Sequence, residues 1–199
     1  MRLYGDARSG NCYKLQLLLA HLDQPYEWVP KDILKGETRT TEFLAKNPNG
    51  RIPLLELSDG RCLAESNAIL CYLAAGSDWL PAEPWTRAQV LQWLFFEQYS
   101  HEPYIAVARF IIQYRGRPAD QAQRLAGLYA PGHAALGVME SALRGREFLC
   151  TPRPSIADIA LYAYTHVAHE GGFELADYPA IQDWLARIAA WPGHRPMRP

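Results

Sequence analysis

Apolar and polar positions follow two different rhythms along this chain. In the first 76 residues the rhythm keeps switching. RLY (2–4) reads as a short strand. Cys12, Leu15, Leu18, Leu19 and Leu22 then fall at i, i+3, i+6, i+7 and i+10, one stripe of a helix that Pro25 blocks. YEWVPKD (26–32) reads as extended, and its proline suits an edge strand. TTEFLAKN (40–47) reads as a short helix stopped by Pro48. PLLEL (53–57) and RCLAE (61–65) flank Ser58-Asp59-Gly60, a turn signal that predicts a β-hairpin. SNAILCYLAA (66–75) predicts a helix closed by Gly76. The predicted order is β-α-β-α-β-β-α.

The segment 76–84 (GSDWLPAEP) is rich in Gly and Pro and reads as a connection. Beyond it the period is helical throughout, over about 85–115, 119–143, 155–170 and 179–190. The expected organisation is an α/β domain over 1–76, a linker over 77–84 and an all-helical domain over 85–199. All four lysines (Lys14, Lys31, Lys35, Lys46) precede the linker, a bias for which we have no physical account.

Composition narrows the function classes. The chain has 199 residues, 49% hydrophobic and 21% charged, ordinary for a globular protein with a sizeable core. A formal net charge of -1 implies no basic face, so nucleic acid and anionic membranes are not expected partners. No stretch has the length of a membrane span, and MRLYGDARSG lacks the apolar centre of a signal peptide. A cytoplasmic location follows as the expectation, with Cys12, Cys62, Cys71 and Cys150 as thiols rather than disulfides. His166-x-x-His169 and Glu97-x-x-x-His101 each give only two metal-capable side chains on a helix face, so no metal is expected.

Four short motifs carry chemistry. SGNCYK (9–14) sits where the first strand hands over to the first helix. NPNGRIP (47–53) precedes the hairpin, ESNAI (65–69) opens the third helix, and SIAD (155–158) has the form of a capping box. In this order, on this element pattern, they resemble the cytosolic glutathione S-transferases over nearly the whole chain, and the bacterial serine-type (theta/delta/nu-like) members in particular. The resemblance implies a thioredoxin-like domain that binds glutathione, followed by an all-helical domain that contributes the electrophile site. It also implies a homodimer, in which the first domain of one subunit pairs with the helical domain of the other. The implied activity is addition of glutathione, as a co-substrate thiolate, to an electrophilic small molecule.

The residue assignments follow the motifs. Ser9 occupies the place of the first cysteine of a thioredoxin C-x-x-C, and Cys12 that of the second. A serine hydroxyl is a poor base but a good single donor. Lowering a thiol from about 8.5 by two units takes about 2.7 kcal/mol. A hydrogen bond to a charged group supplies about 1.5–3 kcal/mol and the helix N-terminus about 0.3–1. Ser9 is therefore the expected thiolate donor, with Asn11 beside it. Tyr4 is the runner-up donor, and Cys12 reads as a small buried residue.

Ile52-Pro53 is expected to be cis, so that the Ile52 backbone pairs with the cysteinyl part of glutathione. Glu65 and Ser66 are expected at the γ-glutamyl end, the acid toward the ammonium and the serine toward the carboxylate. Lys35, Arg39 and Arg51 are the candidate cations for the glycine carboxylate. Tyr104, Arg109, Phe110 and Tyr114, at near-helical spacing, form the expected electrophile site between the domains.

Other outcomes stay open on sequence alone. One is glutathione-dependent disulfide or peroxide reduction. Another is isomerisation of an activated double bond, against which Gly10 and Asn11 argue, because that branch carries a serine and a cysteine there. A third is a non-catalytic binding or regulatory protein, including partners of RNA polymerase; such proteins tend to lose the thiol-site residues that are retained here.

Overall fold

A computed structural model of the chain describes residues 1–197. The chain forms two compact units, Met1–Ala75 with Pro192–Pro199, and Gly76–Trp191.

In the first unit β1 (Arg2–Gly5), α1 (Gly10–His21), β2 (Glu27–Pro30), α2 (Thr41–Lys46), β3 (Leu54–Glu56), β4 (Cys62–Ala64) and α3 (Ser66–Leu73) follow one another. The sheet order is β2-β1-β3-β4, with β1 and β2 parallel and the other pairs antiparallel. Pro30 ends β2 on the sheet edge, where its missing N–H costs no ladder bond. Successive strand residues point to opposite faces. Tyr4 and Leu54, paired across β1 and β3, pack on one face with Phe43 of α2. Leu3 and Leu55, also paired and fully buried, face the other way. Leu15, Leu18, Ile69 and Leu70 of α1 and α3 are fully buried as well, each contributing about 1.5–3 kcal/mol relative to exposure.

The second unit holds α4 (Pro84–Phe96), α5 (Glu102–Arg109), α6 (Ala122–Leu143), α7 (Ile156–Thr165) and α8 (Pro179–Ala189). The helix expected over 85–115 is not uniform. Glu97–His101 and Phe110–Tyr114 are π-turns, with the Glu102 N–H bonded to the Glu97 carbonyl five residues back. Pro103 lacks the N–H that would serve the Tyr99 carbonyl, so the ladder widens just before it. The stretch expected over 155–170 is helical to Thr165, then a 3₁₀ turn over Ala168–Gly171.

The SIAD segment is a capping box. Ser155 caps α7, and the buried Asp158 carboxylate accepts from the Ser155 N–H (2.9 Å), the Leu149 N–H (3.0 Å) and Trp184 Nε1 of α8 (3.1 Å).

One boundary differs from the expectation. The segment from Pro192 groups with the first unit, not with the helical one. The reason is local. The Tyr13 hydroxyl of α1 donates to the Arg195 carbonyl at 2.7 Å and lies 3.3 Å from His194 Nε2.

Candidate functional site

The strand-to-helix junction of the first unit builds the first part of the site. Ser9 is the N-cap of α1, in extended backbone, and its Oγ accepts from the Cys12 N–H at 3.4 Å. That use of the oxygen leaves the hydroxyl proton for another acceptor. Two residues on, Asn11 is half-buried, and its Oδ1 accepts from the Ser66 hydroxyl at 3.1 Å. Asn11 and Ser66 are therefore neighbours although 55 positions apart.

Cys12 is fully buried, and burial pushes its thiol up to about 12. A Cβ on Gly5 would lie 2.6 Å from the Cys12 Sγ, so the thiol fills the space that Gly5 leaves open. A thiol held protonated is a poor nucleophile.

Tyr4 is displaced from the runner-up role. It faces α2, and its hydroxyl donates to Glu56 while accepting from Lys46 at 3.0 Å. Lys46 and Glu56 are themselves paired at 2.8 Å. Strand alternation turns Tyr4 to the face opposite Leu3, into the small cluster with Phe43.

The loop before the hairpin is organised by the buried Asn47. Its Nδ2 donates to the Arg51 carbonyl at 2.8 Å, and its Oδ1 accepts from the Asn49 N–H at 3.1 Å. Gly50 takes a φ of +62°, and a Cβ there would meet Arg39 at 2.5 Å. Ile52-Pro53 is cis. Ile52 lies just ahead of the ladder, whose first pair is Leu54 with Ala64.

The candidate cations are placed differently from one another. Arg39 donates to the Asn49 carbonyl at 3.1 Å. Lys35 is exposed and paired with Asp32 at 3.3 Å. The Arg51 side chain is exposed.

The start of α3 is the second built part. Glu65, its N-cap, has φ 68° and ψ 111°, a conformation that costs a non-glycine residue about 1–3 kcal/mol. Its side chain is exposed and does not cap the helix. Ser66 opens the helix and is 5% exposed. Behind it stands a residue that the sequence pattern did not single out. Lys14 is fully buried, and its Nζ donates to Ser66 Oγ at 3.2 Å and Asn67 Oδ1 at 3.3 Å. Lys14 lies four residues before Leu18, on the apolar stripe, and Leu17 and Leu19 are buried too. A helix apolar on nearly every side is buried on every side, and that was the signal that could have placed the lysine inside.

The four residues expected around an electrophile do not act alike. Phe110 and Tyr114 stack, with ring centroids 5.0 Å apart. Tyr104 packs on α6, its Cβ 3.4 Å from where a Cβ on Gly132 would lie. Arg109, expected to offer its charge to an acceptor, is buried in an ion pair instead, its Nε 2.6 Å from the Glu170 carboxylate. That pair ties α5 to the 3₁₀ turn. Of the metal-like patterns, His101 Nε2 is 2.9 Å from the Thr165 hydroxyl, and His166 Nδ1 is 2.8 Å from the Tyr162 carbonyl.

Residues 1–75 match the glutathione S-transferase N-terminal domain, and residues 122–187 the C-terminal domain. The chain belongs to the glutathione S-transferase family. A solved glutathione S-transferase from Pseudomonas fluorescens Pf-5 is 60% identical, with a TM-score of 0.97 over 98% of each chain. A second family member from that organism, solved with two glutathione bound, is 29% identical. Its TM-score is 0.83, over 96% of this chain and 89% of the other. The disulfide-bond oxidoreductase YfcG of Escherichia coli is 30% identical over 94% of this chain and 89% of its own. These relatives thus include one solved with glutathione bound, and the activities they are named for differ.

Proposed function

We propose that the protein is a glutathione transferase that binds reduced glutathione as a thiolate and adds it to an electrophilic small molecule. The observation that carries this reading is the direct Ser66–Asn11 hydrogen bond, which brings the start of α3 against the first turn of α1 where Ser9 caps. A peptide anchored by its carboxylate at Ser66 would then have its thiol within reach of Ser9 and Asn11. In this reading Ser9 donates to the sulfur, with Asn11 as a second polar contact. The Ile52 backbone pairs with the cysteinyl unit ahead of the Leu54 ladder. The exposed Glu65 meets the glutamyl ammonium, and Arg39, Arg51 or Lys35 serves the glycine carboxylate. The helical unit supplies Tyr104, Phe110 and Tyr114 to the acceptor. Within the serine-type class, the N-cap position of Ser9 is the feature that favours assignment there.

A second reading is glutathione-dependent disulfide reduction, favoured by the likeness to YfcG. The buried, protonated Cys12 argues that any such reaction would run through glutathione itself, not through a protein thiol.

The homodimer is part of the proposal. Trp85 and Phe95 are each 71% exposed and Tyr99 83%, along one side of α4 and the turn after it, an apolar stripe that a second copy would cover. A cytoplasmic location is proposed with it.

Retention on immobilised glutathione, followed by conjugation assays over aryl halides, peroxides and mixed disulfides, tests the reading. A folded protein that is not retained and shows no turnover with any of these would overturn it.

A further inference from the structure

We propose that Lys14 is a positioning residue for the γ-glutamyl carboxylate, holding Ser66 as a hydrogen-bond donor and placing a positive charge behind it; this rests on the glutathione reading above. The first step is directional. An ammonium has donors and no acceptor. With Lys14 Nζ 3.2 Å from Ser66 Oγ, the serine oxygen accepts, and its single proton must point away from Lys14. It does so, toward Asn11 Oδ1 at 3.1 Å. Ser66 is thereby committed as a donor on the side away from Lys14, and an arriving carboxylate, which only accepts, would take that single proton in place of Asn11 Oδ1.

The second step is charge. A carboxylate oxygen accepting from Ser66 would lie roughly 5 Å from Nζ, within the span over which an opposite charge strongly favours an anion. Asn67 adds no charge of its own and holds the ammonium through Oδ1 at 3.3 Å. The third step concerns placement. The N-terminus of a helix carries positive potential, so helix stability alone does not favour an ammonium there. Lys14 is nonetheless fully buried against the first turn of α3. The ammonium and the first turn of α3 thus both face Ser66, where the proposal puts the anionic end of the ligand. The ammonium's charge reaches the site from α1, through the interior, so solvent screens it little.

The test is calorimetric titration of the full chain with two ligands. One is glutathione, and the other is γ-aminobutyryl-cysteinylglycine, which keeps the amine and lacks the α-carboxylate. Wild type should prefer glutathione by about tenfold or more, the scale of one charge-assisted contact. Lys14→Gln keeps a donor of similar length and removes the charge. It should weaken glutathione about ten- to a hundredfold and leave the analogue within about twofold. Lys14→Arg should retain most of the preference. Combined with Ser66→Ala, the loss should be less than additive, because Lys14 acts through Ser66. A Lys14→Gln variant that weakens both ligands equally overturns the proposal and leaves Lys14 a packing residue. Should the Lys14 variants not fold, equal binding of the two ligands by wild type also overturns it. A folded wild type that binds neither ligand overturns the glutathione reading itself.

Discussion

Ser9→Ala isolates the donor role, because the structure shows how little else the hydroxyl does. Its one recorded acceptance, from the Cys12 N–H, is long at 3.4 Å. The cap loss should therefore sit at the low end of the usual range, about 0.5 kcal/mol. The α1 N-terminus and its roughly 0.3–1 kcal/mol of help to an anion remain in the variant. A hydrogen bond to a thiolate is worth about 1.5–3 kcal/mol, which is about 1–2 pKa units at 1.36 kcal/mol per unit. The bound thiol should thus move up by that amount, toward the free value of about 8.5. Below the wild-type pKa the rate of conjugation should fall about 10- to 100-fold, and above about pH 9 solvent deprotonation should recover most of it. The assay is kcat/KM for glutathione with chlorodinitrobenzene across pH, with ultraviolet absorbance of the bound thiolate as a direct titration. Glutathione affinity should hardly change, since Ser66 and the Ile52 backbone are untouched. A pH–rate profile superimposable on wild type would refute the reasoning and transfer the donor role to Asn11.

Three further outcomes follow from the packing. Alkylation near neutral pH should reach the half-exposed Cys62 before the buried Cys12, and Cys12→Ala should leave conjugation intact; equal labelling rates by mass spectrometry would contradict the buried thiol. Asp158→Ala orphans the donors of Leu149, Ser155 and Trp184, so urea unfolding should show a loss of at least about 3 kcal/mol; a loss below about 1 would deny Asp158 that central role. Burial lowers His21 and His194, and their mutual repulsion lowers His21 further. The folded state therefore binds fewer protons than the unfolded one, and the docking of residues 192–197 on α1 is firm above the ordinary histidine value of about 6.5 and weakens as pH falls through and below it. Among the groups around this pair is the Tyr13 hydroxyl, 3.3 Å from His194 and donating to the Arg195 carbonyl. Amide exchange at Gly193 and His194 should quicken, beyond its intrinsic pH dependence, between about pH 8 and 5.5; constant protection would refute it.

What could be read from the sequence was what local periodicity encodes. The switching rhythm of residues 1–76 and the helical rhythm beyond 85 predict the observed elements, because burial of one face imposes those periods. The SGNCYK, NPNGRIP and ESNAI motifs mark turns whose backbone is special: an N-cap at Ser9, a positive φ at Gly50 and a strained Glu65. What could not be read depends on residues distant in sequence. Nothing local to Arg109 shows that Glu170 awaits it, and nothing near residue 195 shows that Tyr13 will donate to its carbonyl. The π-turn at Glu97–His101 has its sequence mark in Pro103, whose missing N–H unsettles the turn before it, whereas the one at Phe110–Tyr114 has no such mark. Lys14 is the instructive miss. A charged residue is assigned to solvent by default, and the default fails where a helix is sheathed on all sides.

The junction after β1 shows how a redox scaffold can serve a diffusible thiol. In a C-x-x-C arrangement the two thiols must both be near the surface and able to meet. Here the first position is a hydroxyl at a helix cap, and the second is a buried thiol that, like the Trp28 ring, occupies the space a side chain on Gly5 would need. Reversing only the first substitution, Ser9→Cys, would not restore the pair, since the Cys12 thiol remains buried and held near 12. Cys12 is therefore not placed to resolve a mixed disulfide at position 9. On the glutathione reading proposed above, the reactive sulfur arrives on a ligand, and the requirement on the site changes from redox potential to grip. Grip on a small charged peptide comes from fixed donors and fixed charge, the part that the proposal gives to the strained turn at Glu65, the buried Ser66 and the interior Lys14.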